Sequence, residues 1–325
     1  MNSPDQKAVL IAFCLLVVSH APVFAQSATE AEALATIKLA TNPTTKLAAA
    51  EDFIAKFPKS TARLGIAELI ADEILKIKNG TVALALLERA QAAFTNEPER
   101  EILKPAALEA YALGNRPDDA FALAGEMLSK NPDDIGVLTR MTLAGSEEAR
   151  KKNRKYADVS LQYGLKAIAL IEAGKKPPAT SDEAWALQTA NLGHLYQQTA
   201  ILSLAKNNPQ DAKARLTKAC SLSPQDPTNF ALLARVMNAD YISQKDVYDT
   251  MPEGKEKQEA LKALDALLDS MIDTYARAAG LATGRVEYQT LLQQVIPDLT
   301  AYYRYRNNQS INGLQQLINR YRPVP

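Results

Sequence analysis

The 325-residue chain is predicted to be all-α, built from antiparallel helix pairs, and three observations point there. Apolar residues recur at steps of three and four along most of its length. Short polar turns carrying Pro, Asn, Asp or Gly interrupt that pattern about every 12 to 16 residues. No stretch sustains the Val, Ile and Thr alternation of a half-buried strand. Composition agrees: hydrophobic residues are 47% and charged residues 23% of the chain, enough apolar side chain to build a core. Glycine, at 13 residues, is sparse. That counts against Gly-rich phosphate loops and turn-dense β folds.

Residues 1–25 are expected to be a secretory leader outside the fold. Lys7 precedes an unbroken apolar run from Ala8 to Val18, and Val23-Phe24-Ala25 then offers a cleavage site before Gln26. The run is shorter than the ~20 residues a spanning helix needs. The chain is therefore expected to be exported, periplasmic or secreted, with no membrane span in its mature part. Removal of the leader leaves one cysteine, Cys220, and one histidine, His194. A lone thiol closes no intrachain disulfide, so stability must come from packing.

The helices are read in order. Ala33, Ile37 and Ala40, widened by Leu34, mark the first. Leu64, Ala67, Ile70, Ala71, Ile74 and Leu75 form one stripe over 62–76, and Val82, Leu86, Leu87, Ala90 and Ala93 another after the Asn79-Gly80 turn. Further turns fall at Asn42-Pro43, Phe57-Pro58, Glu97-Pro98, Gly114 to Pro117, Asn131-Pro132-Asp133, Asn208-Pro209 and Ser223 to Asp226. Proline cannot continue a helix but suits the first turn of the next, and the adjacent Asn or Asp can cap it. A loop at Gly174 to Pro178 precedes one long expected helix over 181–206. Three terminal helices are expected over 256–279, 287–305 and 311–321.

The segment from Asp211 to Pro224 resembles the tetratricopeptide repeat. Ala212 and Ala219 supply the small residues its second helix needs, Leu216 fills the groove between them, and Pro224 closes the unit. Phe230, Leu233, Ala234 and Met237 continue into the next unit, while Leu108, Tyr111, Ala120, Ala124 and Pro132 repeat the phase. The resemblance implies a right-handed superhelix of antiparallel helix pairs over 26–242, with a loop insertion at about 173–183 and a longer helical cap over 243–325. The segment from Ala62 to Pro98 departs from the pattern, carrying Leu86 where a small residue is expected.

Function classes narrow quickly. Lys and Arg total 37, balanced by 37 Asp and Glu, so no basic face for nucleic acid is expected. No phosphate loop, zinc-protease helix, nucleophile elbow or Cys-x-x-Cys motif occurs, and neither metal nor cofactor is expected. His194 lacks a local acid and nucleophile, which makes an enzyme centred on it the least favoured alternative. Cys220, beside Ala219, reads as a small buried hydrophobe. The basic run Arg150 to Lys155 reads as a solvated helix end, with cations near the C-terminal dipole. Asp265, Asp269 and Asp273 form an acidic row expected to pair with Lys262 and Arg277.

The tetratricopeptide resemblance implies a concave groove lined by the first helix of each pair. By position it would carry Thr139, Arg140, His194, Gln197, Gln198, Arg235 and Asn238, and it would bind a protein or peptide. The Lys and Asn clamp of chaperone-tail binders is missing, with Gln197 and Ile201 at those positions. The expected function is therefore a non-enzymatic exported scaffold for a protein or peptide partner. The alternative is binding of a glycan or cell-envelope polymer through the C-terminal tyrosines, such as Tyr302, Tyr303, Tyr305 and Tyr321, with their interleaved arginines.

Overall fold

A computed structural model describes residues 21–178 and 180–323 of the chain. Most of the expected leader, residues 1–20, lies outside the described residues, and the first helix runs across the expected cleavage point after Ala25. Among the described residues there are fifteen α-helices, one short 3-10 helix and no strand. None of these helices is long and apolar enough to cross a membrane. The chain divides into two compact units, the second beginning at Leu128.

The first unit holds α1 (Ala21–Leu39), α2 (Pro43–Lys56), α3 (Arg63–Leu75), α4 (Gly80–Ala93), α5 (Glu97–Leu113) and most of α6 (Pro117–Lys130). Its turns do what their residues promise. Asn42 Oδ1 accepts from Thr45 N at 2.9 Å, and Asn79 Oδ1 accepts from Val82 N at 3.1 Å, satisfying helix-start amides that have no internal partner. Phe53, Ile70, Ile74, Leu87, Phe94 and Leu103 meet in one core where α2 packs on α4 and α3 on α5. Leu64 and Leu75 leave the expected stripe and are exposed, because Ile66, Ala67, Ile70 and Ile74 already fill the face that α3 turns inward. Val82 is likewise exposed at the start of α4.

One ion pair is built into this core. Arg63 on α3 grips Glu99 on α5 through two parallel bonds of 2.6 and 2.9 Å, with both side chains nearly inaccessible. Glu99 also accepts from the Asn96 backbone N–H at 3.3 Å, so the same carboxylate caps its own helix.

The second unit contains α7 (Ile135–Arg150), α8 (Ala157–Glu172), α9 (Asp182–Ala190), α10 (Leu192–Ala205), α11 (Pro209–Leu222), α12 (Pro227–Thr250) and α13 (Lys255–Ala282). A 3-10 turn at Val286–Tyr288, then α14 (Gln289–Arg306) and α15 (Leu314–Asn319), complete it. Neighbours pack as pairs: α7 with α8, α10 with α11, α12 with α13. The small residues of the Asp211 to Pro224 segment behave as the spacing requires. Ala212, Leu216 and Ala219 are fully buried, and Leu216 shares a core with Ala200 and Val236.

Three expectations are corrected here. The single helix over 181–206 is two helices meeting at Asn191. No residue of α9 is fully buried, whereas α10 starts with buried Leu192 and Gly193. The break lets Gly193 come so close to Ser223 that a side-chain carbon there would collide with its hydroxyl. The acidic row is not paired with Lys262 and Arg277. Asp269 instead receives Arg306 at 2.7 and 3.1 Å, and Asp273 receives the Tyr321 hydroxyl, because α14 and the C-terminal turn fold back onto α13. Arg277 lies over the Phe230 ring at 4.3 Å and near that of Tyr321 at 5.8 Å. Finally, Arg150 does not simply trail into solvent with the rest of its basic run, since its guanidinium bonds to Gln198 on α10.

Candidate partner-binding face

The residues expected to line a groove lie on α7, α10 and α12, all within the second unit. Two of them are not on an open surface. Gln197 and Gln198 are buried, and they form a directed chain of hydrogen bonds that ties the helices together. Gln198 Oε1 accepts from Ser146 Oγ at 2.6 Å and from Arg150 Nη2 at 3.0 Å. Gln198 Nε2 donates to Gln197 Oε1 at 3.0 Å and lies 2.6 Å from His194 Nε2. Gln197 Nε2 donates to Asn229 Oδ1 at 2.7 Å, and Asn229 Nδ2 reaches the Ala219 carbonyl at 3.4 Å.

The direction of the chain follows from its first member. A guanidinium can only donate, so the Gln198 carbonyl must face Arg150 and its amide nitrogen must face the other way. His194 therefore accepts on Nε2 and carries its proton on Nδ1, the neutral tautomer. The crowding of its ring and the positive charge of Arg150 hold its pKa below the ordinary value, and Asp226 pulls weakly the other way. Buried amides and hydroxyls that are this well satisfied fix side chains in place, because each loose end would cost its desolvation.

The remaining expected residues are placed unevenly. His194 is exposed at the edge of the chain, next to Gln198. Thr139 and Arg140 are half-buried on α7, and the Thr139 hydroxyl has no hydrogen-bond partner. Arg235 and Asn238 on α12 are engaged by α14, through Gln294 at 2.6 Å and the Tyr302 hydroxyl. They are not joined to His194. Sequence reasoning missed Ser146, Arg150 and Asn229 as parts of this arrangement. Ser146 and Arg150 stand four apart on one helix, a spacing that puts them on one face, and only the basic run around Arg150 drew attention away from it.

Cys220 is buried, and burial pushes its thiol up to about 12, far from a nucleophilic thiolate at neutral pH. No group of three or more His, Cys, Asp or Glu suited to a metal ion occurs among the described residues. A cleft of about 540 Å³ in the first unit is walled by Leu103, Tyr111 and Leu123, and several of its charges are matched. Lys104 there sits 2.5 Å from both Glu101 and Glu126, and Arg116 binds Asp119 at 2.8 Å. Compared with models of known protein families the chain matches none, and it has no match among curated proteins.

Proposed function

We propose that the chain is an exported, non-enzymatic scaffold whose helix pairs are tetratricopeptide-type units of a right-handed superhelix. It binds a protein or peptide partner on the face formed by α7 and α10. The observation that carries this reading is the buried amide chain from Ser146 to Asn229. It holds Arg150 and His194 in fixed geometry at an exposed edge, and the one hydroxyl it includes, that of Ser146, is buried and already bonded to Gln198 and to the Leu143 carbonyl. Rigid donors without reactive neighbours suit recognition better than catalysis. The apolar run and cleavage pattern before Gln26 support export.

The polymer-binding alternative has less support. Tyr275 is fully buried, Tyr302 and Tyr321 spend their hydroxyls on Asn238 and Asp273, and Arg306 is taken up by Asp269. These rings serve to close the end of the second unit.

The test is a pull-down from cell-envelope extract. A Thr139→Arg, Arg140→Glu double variant should lose a partner that the unaltered chain retains, with unchanged helical circular dichroism. Lys262→Glu on α13, an exposed control, should keep it. Equal capture by both variants removes this face from consideration.

A further inference from the structure

We propose that Arg150 and His194 together form a carboxylate-binding site, the anchor that holds an acidic group of the partner on this face. The inference rests on the partner-binding reading above and adds the chemistry of the ligand. It comes from the hydrogen bonds these two residues make and from those they leave open.

A guanidinium has five N–H donors, and Arg150 spends one, from Nη2 to Gln198 Oε1. Among the described residues it makes no ion pair. Glu147 on its own helix acts on it only at longer range, and partial burial lowers its pKa although the side chain keeps an exposed part. His194 has Nε2 occupied by the Gln198 amide, which leaves Nδ1–H as an outward donor. The two side chains share one buried anchor, Gln198, itself backed by buried Ser146. Their donors are thus held in place before any ligand arrives, and little order remains to be imposed on binding.

Three charged groups act on this pair at range. From α7 come Arg150 and Glu147, and from the turn before α12 comes Asp226, which acts on His194 without a bond to it. One permanent cation and one neutral N–H donor match a monoanion. Carboxylate fits the planar fork of arginine in the bidentate manner, with the imidazole N–H as a third contact on the same group. A phosphate, with close to two negative charges at neutral pH, would find only one of them answered.

Imidazole nitrogen spectra of the full chain at neutral pH, assigned by His194→Ala, provide the test. Four probes are used: an acetylated, amidated pentapeptide with one central Glu, the same peptide with Gln, an acetylated alanine pentapeptide with a free C-terminal carboxylate, and inorganic phosphate. The Glu peptide, the free-carboxylate peptide or both should shift the His194 signals, and Arg150→Gln should weaken that binding about tenfold or more. Which of them binds tells an acidic side chain from a chain terminus. Arg150→Lys, which keeps the charge and loses the fork, should fall between the two, guarding against a general folding defect in the Gln variant.

Equal shifts with the Gln peptide, no loss on Arg150→Gln, or a response to phosphate alone would each overturn the assignment. Failure here is separable from failure of the face. If no carboxylate probe binds but the Thr139/Arg140 variant still loses its partner, the face stands and the anchor falls. If the probes bind and that variant keeps its partner, the anchor stands and the face falls.

Discussion

Gly164 on α8 and Thr199 on α10 lie so close that a side-chain carbon added to the glycine would sit 2.5 Å from Thr199 Cγ2. Thr142 Cγ2 on α7 would be 2.8 Å away on the same side. Three helices therefore meet at a point where only the absence of a side chain lets them approach. Such a contact is specific to this packing, since an isolated helix would be strengthened by alanine at the same position.

Gly164→Ala should accordingly destabilise the chain by about 1–3 kcal/mol, as overpacking does, although alanine is the better helix former. Thermal unfolding followed by circular dichroism reads the sign directly. A more stable variant would mean that α7, α8 and α10 do not converge there.

Leu216 tests the pair formed by α10 and α11. It is fully buried between Ala200 and Val236. Leu216→Ala should cost about 2–5 kcal/mol, because the backbone around it cannot collapse into the space left behind. Chemical denaturation with an unchanged dependence on denaturant would show that the loss is one of stability alone.

The Arg63–Glu99 pair gives the first unit a pH dependence. Hydrogen bonding from Arg63, offset in part by burial, holds the Glu99 carboxyl below its usual value. A depressed carboxylate stabilises the fold fully above its unfolded value of ~4.3 and loses that contribution as pH falls through the folded value. Glu99→Ala should cost about 3–5 kcal/mol at neutral pH, since it leaves a buried guanidinium unpaired. Glu99→Gln should flatten the acid limb of the stability curve below about pH 4. An identical acid limb in that variant would contradict the role of this carboxylate.

Cys220 should resist alkylation in the folded chain and react readily once the chain is unfolded in denaturant. Its pKa of about 12 leaves almost no thiolate at neutral pH, and its side chain is buried. Mass spectrometry after a short exposure to iodoacetamide distinguishes the two states. Rapid modification under native conditions would contradict the burial.

How far the sequence foretold this molecule depends on the scale considered. Apolar spacing located nearly every helix, and Asn42, Asn79, Asn208 and Asp226 sit at helix starts where their turns suggested. These are local effects, decided within a few residues of the capping group. The break at Asn191 was invisible because nothing local forbids a helix there; the close approach of Gly193 to Ser223, thirty residues on, is a tertiary matter. The acidic row misled for the same reason. Lys262 and Arg277 were the nearest cations in sequence, but Arg306 arrives from α14 and Tyr321 from the C-terminal turn, both of which fold back.

The candidate face was half legible. Position along the first helices located His194, Gln197 and Gln198 near one another, and they are in contact. What position does not reveal is that two adjacent glutamines can satisfy each other and their neighbours, and so withdraw from the surface. Arg235 and Asn238 were placed on the groove by position, with no sign of their partners, Gln294 and Tyr302, which lie about sixty residues further along the chain.

The central claim, that the α7–α10 face receives a partner, is most directly measured by site-specific photocrosslinking of the chain in the cells that make it. A photoreactive residue is placed at Arg140, at His194, at Lys262 on α13 and at exposed Tyr305 on α14. The account predicts one and the same protein or peptide crosslinked from positions 140 and 194 and absent from 262 and 305. Crosslinks from position 305 alone, with 140 and 194 silent, would contradict it and return the function to the C-terminal tyrosines.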